Sequence, residues 1–222
     1  ISAQRSLVEE FLTPGGSVVV ANHNSPGQTV IAGPTAALQE VLARLKEHGL
    51  RVVSLAVSGG FHSPVMAPAQ SELVKTIRSL KLSSPQLPVY SNLNGRPYPV
   101  DPTAVVEQMQ EHLLSSVEFV AQIQAMSQDG VRTFVEMAPG SVLSGLVKEI
   151  LDLPDVMVTS MDQRGGGLSS FLKMLARLRV AGVERMQMMV ESAARPALQR
   201  FLSQWVPALH ELRRSPRHRV LR

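Results

Sequence analysis

The chain has 222 residues, of which 44% are apolar and 18% charged, and it contains no cysteine. That length suffices for one sizeable core or two small ones, while the missing thiols exclude a disulfide scaffold, a thiolate zinc site and a cysteine nucleophile. The net charge of +4 sits in residues 211–222, where Arg213, Arg214, Arg217, Arg219 and Arg222 face the single acid Glu211, so the body of the chain is balanced. With one tryptophan, two tyrosines and six phenylalanines there is no aromatic platform beside a basic groove, and no nucleic-acid partner is expected. No run of about 18 uncharged apolar residues occurs, and residues 1–10 are polar and charged, so neither a membrane span nor a signal peptide is read.

Taken in order, residues 2–12 read as a helix with Leu7, Val8, Phe11 and Leu12 on one face, ended by Pro14-Gly15-Gly16. Residues 17–21 and 28–32 are β-branched and read as adjacent strands joined by a polar loop. Pro34 opens a helix to about His48, with Leu38, Val41, Leu42 and Leu45 at three-and-four spacing. Residues 51–57 read as a further strand, completing a small α+β layer. Beyond it, helices are expected at 64–80, 102–114, 117–127, 142–150 and 168–180. Short apolar strands at 87–91, 131–137 and 156–160 lie between them. Strands apolar on both faces and flanked by helices argue a parallel sheet covered on both sides. Past Gly182 the pattern weakens; Met186, Met188 and Met189 read as a soft packing stripe.

The sharpest local feature is Ser58-Gly59-Gly60-Phe61-His62-Ser63-Pro64, placed between a strand and a helix. Imidazole is suited to taking a proton from a hydroxyl nucleophile and returning it to a leaving group. The bland reading of His62 is a residue that caps or precedes the helix begun by Pro64. His23 lies in the polar loop with Asn22 and Asn24, either lining the same cleft or facing solvent. His48 ends a helix, His112 reads as exposed among Glu107, Gln110 and Glu111, and His210 and His218 belong to the tail. No histidine pair stands at metal-ligand spacing, so no metal site is expected. The turn Met137-Ala138-Pro139-Gly140-Ser141 has the position of a phosphate loop but lacks its glycines and lysine. No G-x-S-x-G elbow occurs, so His62 has no evident nucleophile partner.

Several strings in fixed order carry a resemblance: ANHNSPGQTVIAG at 21–33, VSGGFHSPVM at 57–66, PVYSNLNG at 88–95, SSVEF at 115–119, FVEMAPGSVLSGL at 134–146 and LARLRVAGVE at 175–184. Together they resemble the C-terminal part of the malonyl-CoA:acyl-carrier-protein transacylase family, which includes the acyltransferase domains of type I polyketide and fatty-acid synthases. The likeness runs over about residues 1–185, and its ending is more like a modular synthase domain than a free-standing transacylase.

The resemblance implies an α/β fold: a partial α/β-hydrolase-like large subdomain with an incomplete ferredoxin-like small subdomain, the active site lying in the gorge between them. The expected division is 1–57 for the small subdomain, 58–182 for the large one and 183–222 for a post-domain linker with a basic tail. It also implies ping-pong chemistry, in which a serine takes a malonyl-type group from CoA and the phosphopantetheine thiol of an acyl carrier protein collects it. His62 would then be the base, oriented by a main-chain carbonyl of the SSVEF-like segment near Glu118. Asn24 and Phe61 would lie near the gorge, with Phe61 at the position associated with malonyl-type extenders. No permanently bound cofactor is implied, acyl-CoA being a substrate and phosphopantetheine residing on the partner.

The family's G-H-S-x-G elbow, its oxyanion segment and its carboxylate-binding arginine are not in these residues. The expectation is therefore a piece of a longer polypeptide, inactive alone and exposing an apolar sheet edge. Its partners would be the missing N-terminal half of the domain, neighbouring synthase domains and a carrier protein, in the cytoplasm. Two alternatives stand beside this reading: a non-catalytic structural or carrier-docking piece of a synthase, and a serine hydrolase relative.

Overall fold

The computed structural model describes residues 1–182 apart from Ala56, Ser58 and residues 163–165. The expected methionine stripe, basic tail and linker at 183–222 lie outside the described residues. Ile1–Arg177 forms one compact unit, and Leu178–Arg222 is a second, of which only residues 178–182 are described.

The first layer is built from α1 (Arg5–Glu9), β1 (Val19–Ser25), β2 (Gln28–Ala32) and α2 (Thr35–Glu47). β1 and β2 form an antiparallel hairpin, with Val20 opposite Ile31 and irregularities in register after Val20 and His23. The apolar stripe of α2 drives its docking: Val41 and Leu45 are buried with Val8, Phe11, Val18, Val20 and Ile31 in one cluster. Leu45 and Val8 are wholly inaccessible, and each such side chain contributes about 1.5–3 kcal/mol by leaving water.

The second layer follows the 3₁₀ turn Pro64–Met66 and comprises α3 (Ala67–Ser79), α4 (Pro102–Glu111), α5 (Phe119–Gln128), β3 (Thr133–Pro139), α6 (Val142–Ile150), β4 (Met157–Asp162) and α7 (Gly167–Val180). α4 starts where Asp101 accepts the Ala104 N–H at 3.0 Å and Pro102 occupies the first turn, a sequence-encoded cap. β3 and β4 are parallel, Phe134 opposite Val158 and Val135 opposite Thr159, and α6 makes the crossover between them. Ile123, Val147 and Val158 form the second buried cluster, flanked by Phe119, Met126, Phe134 and Ile150. The carboxylate of Glu136 on β3 accepts N–H groups of Leu143 and Ser144 and the Ser144 hydroxyl, which satisfies the otherwise orphaned donors of α6.

Two expected strands do not form among the described residues. The described residues of 51–57 make no ladder; Val53, Leu55 and Val57 are 61%, 61% and 64% exposed. Residues 87–91 contribute a single bridge, Tyr90 to Pro97. Both segments have strand composition, but β-propensity expresses fit to neighbouring strands, and no described strand runs alongside either one to complete its hydrogen bonds.

Val117 stitches the layers together. Its N–H donates to Ala21 O at 2.8 Å, and its carbonyl accepts the His23 N–H at 2.9 Å. The segment after α4 therefore runs along the edge of β1.

Candidate active site

His62 is the only described non-glycine residue with positive φ, at 61°. The left-handed region is costly for residues with a Cβ, although histidine visits it more readily than most. Such a conformation persists where surrounding bonds over-determine it. Here the His62 N–H donates to Leu113 O at 3.1 Å. Its ring Nδ1 lies 2.9 Å from His112 O and 3.1 Å from Ser115 O.

All three acceptors follow the C-terminus of α4, where carbonyls have no helical N–H to receive. They accept and cannot donate, so Nδ1 carries a proton, and in the neutral form of the ring the lone pair lies on Nε2. The local sequence produces this arrangement directly. Glycines before Phe61-His62 allow a compact turn, and Pro64 then starts the next helical segment with a fixed φ.

Glu118 is not a partner of the His62 ring. Its two oxygens accept from Arg5 Nη1 at 2.8 and 2.9 Å, while Arg5 Nε reaches Glu9 at 2.7 Å. Its main-chain N–H donates to Asn92 O at 2.7 Å. His23 Nδ1 stands 4.0 Å from the same carboxylate. Burial lowers the His23 pKa below the ordinary value, and Arg5 adds to that effect against the opposing charge of Glu118.

Asn24 is half-buried on β1 and donates to Gln28 Oε1 at 2.8 Å across the hairpin turn. Phe61 is 51% exposed. None of the described hydrogen bonds joins Asn24, Phe61 or a serine hydroxyl to His62. Ser63, fully buried, instead donates to Gly60 O.

His112 does not face solvent as its polar sequence neighbours imply. It is half-buried, its Nε2 2.9 Å from Ser91 Oγ and 3.0 Å from Tyr98 Oη, and its ring is stacked on Tyr98 with centroids 6.0 Å apart. Burial, followed by the nearby His62 charge, lowers its pKa, with Glu111 opposing. No local pattern signals this, because Ser91 and Tyr98 stand 21 and 14 residues before His112, in the turn that precedes α4. The polar neighbours on α4 suggest an exposed helix face, whereas the ring turns inward at the helix end.

The described residues contain no group of three His, Asp or Glu side chains that could hold a metal. They also contain no helix long and apolar enough to cross a membrane. Among the described residues, the His62 imidazole is held through Nδ1 by two main-chain carbonyls.

Residues 2–185 match the family described as "Acyl transferase domain". The malonyl CoA-acyl carrier protein transacylase of Bacillus subtilis is 35% identical over 149 residues, covering 67% of this chain and 47% of that protein. A polyunsaturated fatty acid synthase polypeptide of Thraustochytrium sp. is 39% identical over 153 residues, 68% of this chain and 5% of that protein. Among solved structures, the malonyl CoA-acyl carrier protein transacylase from Clostridium perfringens has a TM-score of 0.73 at 34% identity, covering 81% of this chain and 56% of that one. The acyltransferase domain from the second module of the salinomycin polyketide synthase has a TM-score of 0.72 at 31% identity, covering 80% and 42%. The chain spans about half the length of the transacylases it matches. On the match over residues 2–185, the chain belongs to the acyl transferase domain family.

Proposed function

We propose that the protein containing this chain transfers a malonyl-type acyl group from CoA to the phosphopantetheine thiol of an acyl carrier protein, through an acyl-serine, within a polyketide or fatty-acid synthase. One observation carries the reading: His62 Nδ1 is shared between the carbonyls of His112 and Ser115, leaving Nε2 to handle a proton.

In this reading the serine lies on a segment outside these 222 residues. Nε2 takes the serine Oγ proton as the oxygen attacks the thioester carbon. The tetrahedral adduct then collapses with cleavage of the C–S bond, and the imidazolium returns the proton to the departing CoA sulfur. In the second half, Nε2 takes the carrier thiol's proton, sulfur attacks the acyl-serine, and the proton goes back to the serine oxygen. No bound cofactor is needed, since CoA and phosphopantetheine are substrates.

The two separate apolar clusters, one over residues 3–45 and one over 123–158, support a division into a ferredoxin-like small subdomain, 1–57, and part of a hydrolase-like large one, 58–182. Asn24 and Phe61 would face the gorge between them, with Phe61 at a malonyl-type position. The exposure of Val53, Leu55, Val57, Leu87 and Val89 supports a sheet completed by further chain, and the protein acts in the cytoplasm beside neighbouring synthase domains. The isolated chain, without nucleophile and oxyanion donors, is inactive.

The test is to supply the polypeptide, extended through its nucleophile-bearing segment, with malonyl-CoA and a phosphopantetheinylated carrier protein. Malonylation of the carrier, followed by mass, is the expected result. A carrier that binds but is never acylated contradicts this reading and supports a docking role.

A further inference from the structure

We propose that the His112 side chain is a positioning residue for His62: tethered at Nε2 by Ser91 and Tyr98, it holds its own carbonyl oxygen at the His62 Nδ1. The inference rests on His62 being the base of acyl transfer.

The tether is built on a self-closed turn. Ser91 N–H donates to Arg96 O at 2.8 Å, Gly95 N–H to Ser91 O at 2.9 Å and Tyr98 N–H to Val89 O at 2.8 Å. Ser91 is 1% exposed, and its Oγ accepts the Leu93 N–H at 3.1 Å, which leaves the hydroxyl proton available for His112 Nε2. Tyr98 approaches the same nitrogen and stacks on the ring. Two hydroxyls and a ring face therefore fix an imidazole that a helix end would otherwise leave free to rotate.

The same turn is locked to α5. Gln122 Nε2 donates to Tyr90 O at 2.8 Å. A Cβ on Gly95, at φ +70°, would stand 2.7 Å from Ala121 C and Gln122 N, so only glycine permits the approach. Asn92 O from this turn accepts the Glu118 N–H. The turn thus grips His112 through side chains and the backbone at Glu118, three residues beyond the second acceptor, Ser115.

The charged and titratable groups facing His112 are His62, Tyr98 and, on its own helix, Glu111. Burial and His62 favour a neutral His112. That suits the role, because His62 becomes positively charged during transfer, and a second imidazolium beside it would oppose that charge.

The experiment uses the extended polypeptide, with malonyl-CoA and holo-carrier as substrates, comparing His112→Ala, His112→Gln, the double variant Ser91→Ala/Tyr98→Phe, and His62→Ala. Small misplacements of a reacting group cost up to about a hundredfold in rate. The expected result is a kcat lowered about ten- to a hundredfold in His112→Ala, with KM for malonyl-CoA within about twofold. His112→Gln, which offers an amide to the same hydroxyls and cannot titrate, restores most of the rate. The double variant removes only hydroxyls, keeps the fold by circular dichroism, and lowers kcat in the same sense. Nitrogen-15 NMR of His62 shows one Nδ1–H tautomer in the parent and a mixture in the double variant. An unchanged kcat in both the double variant and His112→Ala, beside an inactive His62→Ala, overturns this inference alone. Full transfer by His62→Ala overturns the base assignment and the inference with it.

Discussion

The ring of His62 donates through Nδ1 to the carbonyl oxygen of His112 at 2.9 Å, so one histidine is oriented by the backbone of another. A carboxylate in that position would stabilise imidazolium strongly; a carbonyl fixes the tautomer and adds only a dipole. The second carbonyl, of Ser115 at 3.1 Å, makes the proton three-centred and resists rotation of the ring.

The backbone of His62 stands at φ 61°, which separates its tolerated replacements by shape. Asparagine accepts the left-handed region, whereas a β-branched residue does not. His62→Val is expected to be less stable than His62→Asn by about 1–2 kcal/mol, both being inactive. Urea denaturation of the two variants measures the difference, and equal midpoints would refute the claim of local strain.

Gly95 makes a sharper case. Its missing Cβ would sit 2.7 Å from backbone atoms of α5, while Gly130, also at positive φ, has nothing within 4 Å. Gly95→Ala should cost about 3 kcal/mol or more, combining strain with a backbone clash. Gly130→Ala should cost about 1 kcal/mol from conformation alone. Comparable losses in thermal unfolding would contradict the close approach on which the turn's rigidity depends.

Arg5 and Glu118 tie α1 to the segment that carries the His62 acceptors. Their side chains are 34% and 20% exposed, so the pair is partly screened and contributes about 1 kcal/mol. A double-mutant cycle with Arg5→Met and Glu118→Gln should return a coupling of that size. A coupling indistinguishable from zero would show that the backbone bonds of Val117 and Glu118 hold this segment unaided.

His112 and His23 both titrate below the ordinary histidine value of 6.5, each mainly because burial disfavours the charged ring. The unfolded chain therefore binds more protons than the folded one over that window, and stability rises with pH. Their contribution is complete above about pH 6.5 and is lost as pH falls from there through the folded values. Thermal midpoints should drop between about pH 7.5 and 5.5, with a shallower slope in His112→Gln. A midpoint that rises on acidification would contradict the burial of these rings in the neutral form.

Much of this structure was legible locally. The helix expected at residues 142–150 forms over Val142–Ile150, and the parallel pairing of β3 and β4 follows from two apolar strands flanking it. The α2 stripe likewise specified its own burial. What failed was non-local. Residues 51–57 and 87–91 have the composition of strands, yet strand formation requires a neighbour, and composition carries no record of whether one is beside it. His62 was visible because a histidine after two glycines and before a proline is locally unusual. His112 was not, since its role depends on Ser91 and Tyr98 meeting it across the fold. The Arg5–Glu118 pair, separated by most of the layer-forming sequence, was equally hidden.

The most direct measurement is intact-protein mass spectrometry of the extended polypeptide after brief exposure to malonyl-CoA, with His62→Ala alongside. Assisted proton transfer is worth about a hundred- to ten-thousandfold. The parent should gain one malonyl group rapidly, and His62→Ala should gain it slower by that factor. Equal acylation of both proteins would contradict His62 as the base, and no acylation of the parent by any acyl-CoA would contradict the acyl-transfer account itself.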